Sequence, residues 1–236
     1  MPGDLTVIEH LSELRTRIIR ALIAVAVTTL LCLPFSSHLL KVLKHPASGT
    51  ITTLAFFSPQ DAFVIYMRVG FLFGFVIALP VVLYQVWAFI APAVEERFKR
   101  YAAFFIVASF AAFIAGCLFA YFLLLPNALR FLLSLGADDL VPVIAADKYI
   151  SFVVAIILCC GAVFEMPVAS FILTKVGLCN ARLLRKKFGI ALIVIAVIAA
   201  VMTPTTDVFN MMLLMLPMAL LYEASIWVSF FATPRR

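Results

Sequence analysis

The sequence predicts an all-α, polytopic membrane protein with six transmembrane helices, the last two short and both termini cytoplasmic. Three observations carry that prediction. Hydrophobic residues make up 65% of the chain against 13% charged, and the mean hydropathy is +1.16, whereas a soluble domain carries about twice that charge. The apolar residues fall in runs long enough to cross a hydrocarbon core of ~30 Å. The cations gather in alternate connectors, and that asymmetry sets an orientation.

The runs recur along all 236 residues, so the chain reads as a single transmembrane domain, 1–236, without a separate soluble unit. The expected spans are 18–35, 59–90, 101–125, 149–174, 188–203 and 208–231. The five cysteines (Cys32, Cys117, Cys159, Cys160, Cys179) fall in spans or beside a basic loop and form no disulfide framework. His10, His38 and His45 have no ligand partners at metal-site spacing, so neither a metal nor another cofactor is expected. The net charge of +6 comes from short loops and speaks to topology rather than to nucleic acid.

Taken in order, Thr6 and Glu9 fit a capping box at the start of the first helix. Ile8, Leu11, Leu14 and Ile18 then form an apolar stripe, and Glu9, Glu13, Arg17 and Arg20 a polar one. No cleavage-like small-residue site follows the first span, which predicts an uncleaved helix. A long loop turning at His45-Pro46-Ala47-Ser48-Gly49 leads to Ser58-Pro59-Gln60-Asp61, with Ser58 as N-cap and Pro59 at the first helical position. At 1.5 Å per residue the second span outruns the bilayer core, so it protrudes or tilts, and Arg68 snorkels to the interface. The third span ends before a second long loop, 126–148, and the fourth before the basic loop 175–187. The fifth is short for an ordinary bilayer and joins the sixth through Pro204-Thr205-Thr206-Asp207. The two short helices imply local thinning.

The N-terminus, the second and fourth connectors and the C-terminus hold 13 lysines and arginines, and the three opposite loops hold 4. By the positive-inside rule both ends are cytoplasmic.

The polar residues inside the spans point to function. Glu165 lies near the middle of the fourth span, where an acidic side chain costs roughly 2.5–3.5 kcal/mol on insertion scales. Pro167, two residues on, has no N–H and crowds the carbonyl of Val163. Lipid satisfies neither group, so their shared face should meet protein, water or a ligand; a neighbouring helix that hydrogen-bonds a protonated Glu165 is the plainer alternative. Glu223, beside Tyr222 in the sixth span, sits at similar depth, and its reading is open between a partnered residue near a helix end and a functional one. Gln85 completes the candidate intramembrane polar set. On the cytoplasmic side, Glu9, Glu13, Glu95 and Glu96 form a second constellation. Glu13 with Arg17 is an i,i+4 helix pair worth a few tenths of a kcal/mol; the sharper reading is a set of carboxylates able to grip a partner's arginines by bidentate hydrogen bonds.

At these residues the chain resembles a known family, the twin-arginine translocase subunit TatC, over nearly its full length. The matching stretches are His10-Leu11-Ser12-Glu13-Leu14-Arg15-Thr16-Arg17, Leu83-Tyr84-Gln85-Val86-Trp87-Ala88-Phe89-Ile90-Ala91-Pro92, Phe164-Glu165-Met166-Pro167, Thr203-Pro204, Asp207-Val208-Phe209 and Leu221-Tyr222-Glu223. Each is weak alone; their order and spacing across six spans are specific. The resemblance implies a multi-pass receptor in the bacterial inner membrane for signal peptides that carry two consecutive arginines. It implies export of folded cargo on the proton gradient, with single-span TatA- and TatB-type partners and self-association in the complex. By motif position Glu13, with Arg17 beside it, would meet the arginine pair, and Phe89 would line the recognition loop. Pro46 and Asp207 would be functional residues of external loops, although the turn holding Asp207 is one residue longer than the family's. The family glutamate six residues after the loop proline is Phe98 here, and Glu95 or Glu96, one turn earlier, would substitute.

The expected activity is peptide recognition and translocation without covalent chemistry. The alternative is a proton-coupled secondary transporter of a small solute using Glu165 and Glu223, although the internal repeats such folds often show are missing. An intramembrane hydrolase lacks its Ser/His, paired-Asp or zinc pattern.

Overall fold

The computed structural model describes residues 7–47, 54–93, 102–134, 143–202 and 208–232. The molecule is a polytopic helical membrane protein. Five helical stretches (His10–Ala47, Asp61–Ile90, Ala102–Ser134, Ala146–Lys175, Leu214–Ala232) are long and apolar enough to cross a bilayer, and Phe188–Val201 is a shorter apolar helix.

Helix α1, Val7–Cys32, and α3, Asp61–Ile90, pack as an antiparallel hairpin. The Thr28 hydroxyl donates to the Gly74 carbonyl at 2.7 Å, and the Ser36 hydroxyl to that of Tyr66 at 3.3 Å. The backbones approach so closely that a Cβ on Gly74 would lie 2.5 Å from the Thr29 Cα; only a residue without a side chain fits there. The expected cap at Ser58 is replaced by a different one. The helix starts at Asp61, whose carboxylate accepts the N–H groups of Phe57 and Ser58 at 3.0 Å each.

The first expected loop holds a helix, α2, Ser36–Lys44, reached through the 3-10 turn Leu33–Phe35 and followed by the 3-10 turn His45–Ala47 that contains Pro46. Its spacing explains it: Leu39, Leu40 and Leu43 turn inward while Lys41 and Lys44 remain exposed. Its final carbonyls are capped by tyrosines from distant spans. Tyr121 donates to Val42 and Tyr149 to Leu43, both at 2.8 Å, which satisfies acceptors a helix C-terminus leaves open.

The third span also runs past its expected end. Helix α4, Ala102–Phe119, continues through a π-turn, Ala120–Leu124, into α5, Leu125–Ser134. Pro126 would break an α-helical ladder; the wider turn just before it and the Asn127 amide, which donates to the Leu123 carbonyl at 2.8 Å, carry the helix across. The all-α expectation needs one small amendment. Strands β1, Leu54–Ala55, and β2, Ile144–Ala145, pair in parallel over two residues and join the two loops.

The fourth span is broken at Glu165 into α6, Ala146–Phe164, and α7, Met166–Lys175. Gly177, at φ 86°, ends α7 in a Schellman motif, with Leu178 N–H bonded to the Leu173 carbonyl and Gly177 N–H to that of Thr174. The short helix α8, Ala181–Lys186, is capped by the Asn180 side chain on Leu183 N–H at 2.7 Å. Helix α9, Phe188–Met202, has 15 residues and is short as expected, whereas α10, Val208–Ala232, has 25 and at 1.5 Å per residue is long enough for a ~30 Å core. The core lies where α3, the π-turn and α6 meet, around Ile65, Val69, Leu125, Ile150 and Val153.

Close packing of α4 on α6 again depends on glycine. A Cβ on Gly116 would lie 2.5 Å from the Cys160 carbonyl oxygen. Arg68 donates to the Asp147 carbonyl and the Ser151 hydroxyl at the start of α6.

Candidate functional site

The open end of the α1–α3 hairpin gathers the N-terminal carboxylate of the sequence motif. Helical spacing puts His10, Glu13 and Arg17 on one face of α1, opposite Gln85 and Phe89 on α3. The His10 and Phe89 rings stack at 4.5 Å between centroids. Arg17 reaches Glu13 Oε1 through Nη2 at 2.8 Å and Nε at 3.3 Å, and Gln85 Oε1 through Nη1 at 3.4 Å. Glu13 and Arg17 are about three-quarters buried, with side-chain exposures of 26% and 22%, and Gln85 is buried. Both of Arg17's bonds to Glu13 fall on one oxygen, so among the described residues Oε2 is left to accept a further donor. Gln85, expected in the intramembrane set, lies near the end of α3 and accepts from Arg17 across the hairpin.

The second locus is the break at Glu165. Its side chain is half-buried, Oε1 has no hydrogen-bond partner among the described residues, and the Ser109 side chain of α4 is its polar neighbour. The backbone parts here because Pro167 supplies no N–H. The Glu165 carbonyl re-enters the ladder by accepting Ala169 N–H at 2.8 Å. A carboxyl with a buried, unpaired oxygen is costly in this medium unless something binds it.

A match to the family model described as Sec-independent protein translocase protein (TatC) covers residues 9–217. The chain belongs to the TatC family. TatC from Aquifex aeolicus is 37% identical over 232 residues, spanning 97% of this chain and 96% of that one. TatC from Carboxydothermus hydrogenoformans is 33% identical over 231 residues, 98% of this chain and 95% of its own. A crystal structure described as the twin arginine translocase receptor TatC superposes with a TM-score of 0.86 at 35% identity, covering 96% of this chain and all of that chain. Membership of this translocase family replaces the small-solute transporter as the reading of the spans.

The remaining expected residues of this TatC chain separate. Glu223 forms a two-pronged pair with Arg185 of α8, at 2.9 and 3.3 Å. The cause is the lie of α8 along α10, which the Tyr222 hydroxyl fixes by donating to the Leu184 carbonyl at 3.0 Å. Pro46 sits half-buried in its 3-10 turn. Glu95, Glu96, Phe98 and Asp207 lie outside the described residues, as does Thr6 of the capping box.

Sequence reasoning did not single out His10, Ser109 or Arg185 as partners. It also passed over a polar ladder from α7 to α10. Ser170 donates to the Ser225 carbonyl at 3.1 Å, the Thr174 and Ser229 hydroxyls meet at 2.7 Å, and Lys175 reaches the Ala232 carbonyl at 2.5 Å. The four-residue spacing of Ser170 with Thr174 and of Ser225 with Ser229 was the available signal.

Proposed function

We propose that the chain is the signal-peptide receptor of a twin-arginine translocase, residing in a bacterial inner membrane with both termini cytoplasmic and acting with single-span TatA- and TatB-type subunits. The observation that carries the reading is the arrangement of Glu13, whose Oε1 holds Arg17 while Oε2 is left open. A guanidinium from the signal peptide takes Oε2, or displaces Arg17 onto Gln85, and the bond is charge-assisted in a partly desolvated site. Glu95 or Glu96 supplies the second carboxylate for the second arginine, and Phe89, stacked on His10, forms the apolar edge of the site. The apolar part of the signal peptide then lies along the face that leads to Glu165, whose unpaired oxygen accepts a donor from the peptide or from a partner subunit's span. The proton gradient drives export of the folded cargo, and copies of the chain associate in the complex.

The experiment is site-specific crosslinking from positions 13, 89 and 96 in membranes, with an Arg-Arg signal peptide and its Lys-Lys counterpart. The expected result is adducts at all three positions with Arg-Arg and a marked loss with Lys-Lys, because ammonium groups lack the planar fork. Equal adducts with both peptides would overturn the assignment.

A further inference from the structure

A cavity of about 660 Å³ opens between α8 and α10. One wall carries Arg182, Arg185 and Lys186, and the other Ile226, Trp227 and Phe230. Arg185 is neutralised by Glu223, but Arg182 and Lys186, four residues apart on one face of α8, are exposed and have no partner among the described residues. Across from them Trp227 is 55% and Phe230 63% exposed, in the last part of an apolar spanning helix. Cations on one side and aromatic and aliphatic surface on the other, at the end of two spans, form an amphipathic slot. Basic pockets between spanning helices are a recurrent receptor for acidic headgroups, and tryptophan favours the same interfacial level.

We propose that this cavity binds an anionic phospholipid, its headgroup phosphate held by Arg182 and Lys186 and the start of an acyl chain lying on Trp227 and Phe230. The lipid completes the charge balance of α8, where Glu223 neutralises only one of the three cations. The site is separate from the Glu13 rim and does not depend on the receptor reading.

The test uses the full chain carrying Trp87→Phe, which leaves Trp227 as the reporter of the two tryptophans. It is reconstituted in phosphatidylcholine vesicles that contain a minor fraction of brominated phosphatidylglycerol or brominated phosphatidylcholine. Brominated phosphatidylglycerol is expected to quench Trp227 more strongly, with a local enrichment of about five-fold for each of the two cations. Arg182→Gln with Lys186→Gln should abolish the difference while leaving quenching by brominated phosphatidylcholine intact, which shows that the helix is still in place. Lys41→Gln with Lys44→Gln, on α2, should preserve the difference. Equal quenching by the two lipids, or a preference that survives the Arg182/Lys186 pair of changes, would overturn the proposal. Loss of the preference on adding inorganic phosphate would also overturn it, by showing a free-anion site instead of a lipid one.

Discussion

Arg17 bonds only Oε1 of Glu13, so among the described residues Oε2 is left for the guanidinium that the proposed receptor role brings. In Glu13→Ala the bond to an incoming guanidinium is lost and Arg17 is left with Gln85 alone. Hydrogen bonds to charged groups are worth about 1.5–3 kcal/mol, so affinity for an Arg-Arg signal peptide should fall by roughly ten-fold or more, measured by fluorescence anisotropy of a labelled peptide. An unchanged affinity would remove Glu13 from the site. Glu165→Gln tests the other locus. The amide is nearly isosteric and keeps the Ser109 neighbour, so insertion and abundance should match the parent while export of a twin-arginine reporter falls. Parental export in complementation would show that the carboxyl is dispensable. At this scale much was legible: an acid two residues before a proline in the middle of an apolar run marks itself. Partners were not, because Arg185 and Ser109 lie far from Glu223 and Glu165 in sequence and nothing local encodes the contact.

Individual helices were legible in proportion to their apolar length. The second span stands out because its residues are apolar all round, whereas α2 is nine residues with two lysines and reads as a loop. Its three leucines at helical spacing gain an inward face once Leu43 is buried and Leu39 and Leu40 pack against the core. The passage of the third span through Pro126 was hidden for another reason: a π-turn changes ladder register, and no composition signal records it. The break at Glu165, in contrast, follows directly from Pro167. Helix contacts through glycine give a test at this scale. In Gly116→Ala the new methyl would press 2.5 Å from the Cys160 carbonyl oxygen, and a backbone atom cannot swing aside as a flexible side chain can. The helices must part, at a cost of about 1–3 kcal/mol. A lowered midpoint of thermal unfolding, followed by a thiol-reactive fluorophore that reports exposure of the buried cysteines, is the expected result; an unchanged midpoint would mean that α4 and α6 are not packed this closely.

For the molecule as a whole, the cation asymmetry predicts that the N-terminus and Arg236 face the cytoplasm. A green fluorescent protein fused after Arg236 should therefore fluoresce and an alkaline phosphatase fused there should be inactive. The opposite pair of results would invert the molecule and remove the rim from the compartment in which signal peptides are made.

The tyrosine caps on α2 bear on how the chain can be divided. Tyr121 and Tyr149 clasp Val42 and Leu43 from two other spans, and the α1–α3 hairpin holds the same segment along its length. Continuity of the peptide between Ala47 and Leu54 therefore adds little to what noncovalent contact already secures. Fragments 1–47 and 54–236, co-expressed, should find each other in the membrane and copurify, and changing both tyrosines to phenylalanine should weaken that reunion.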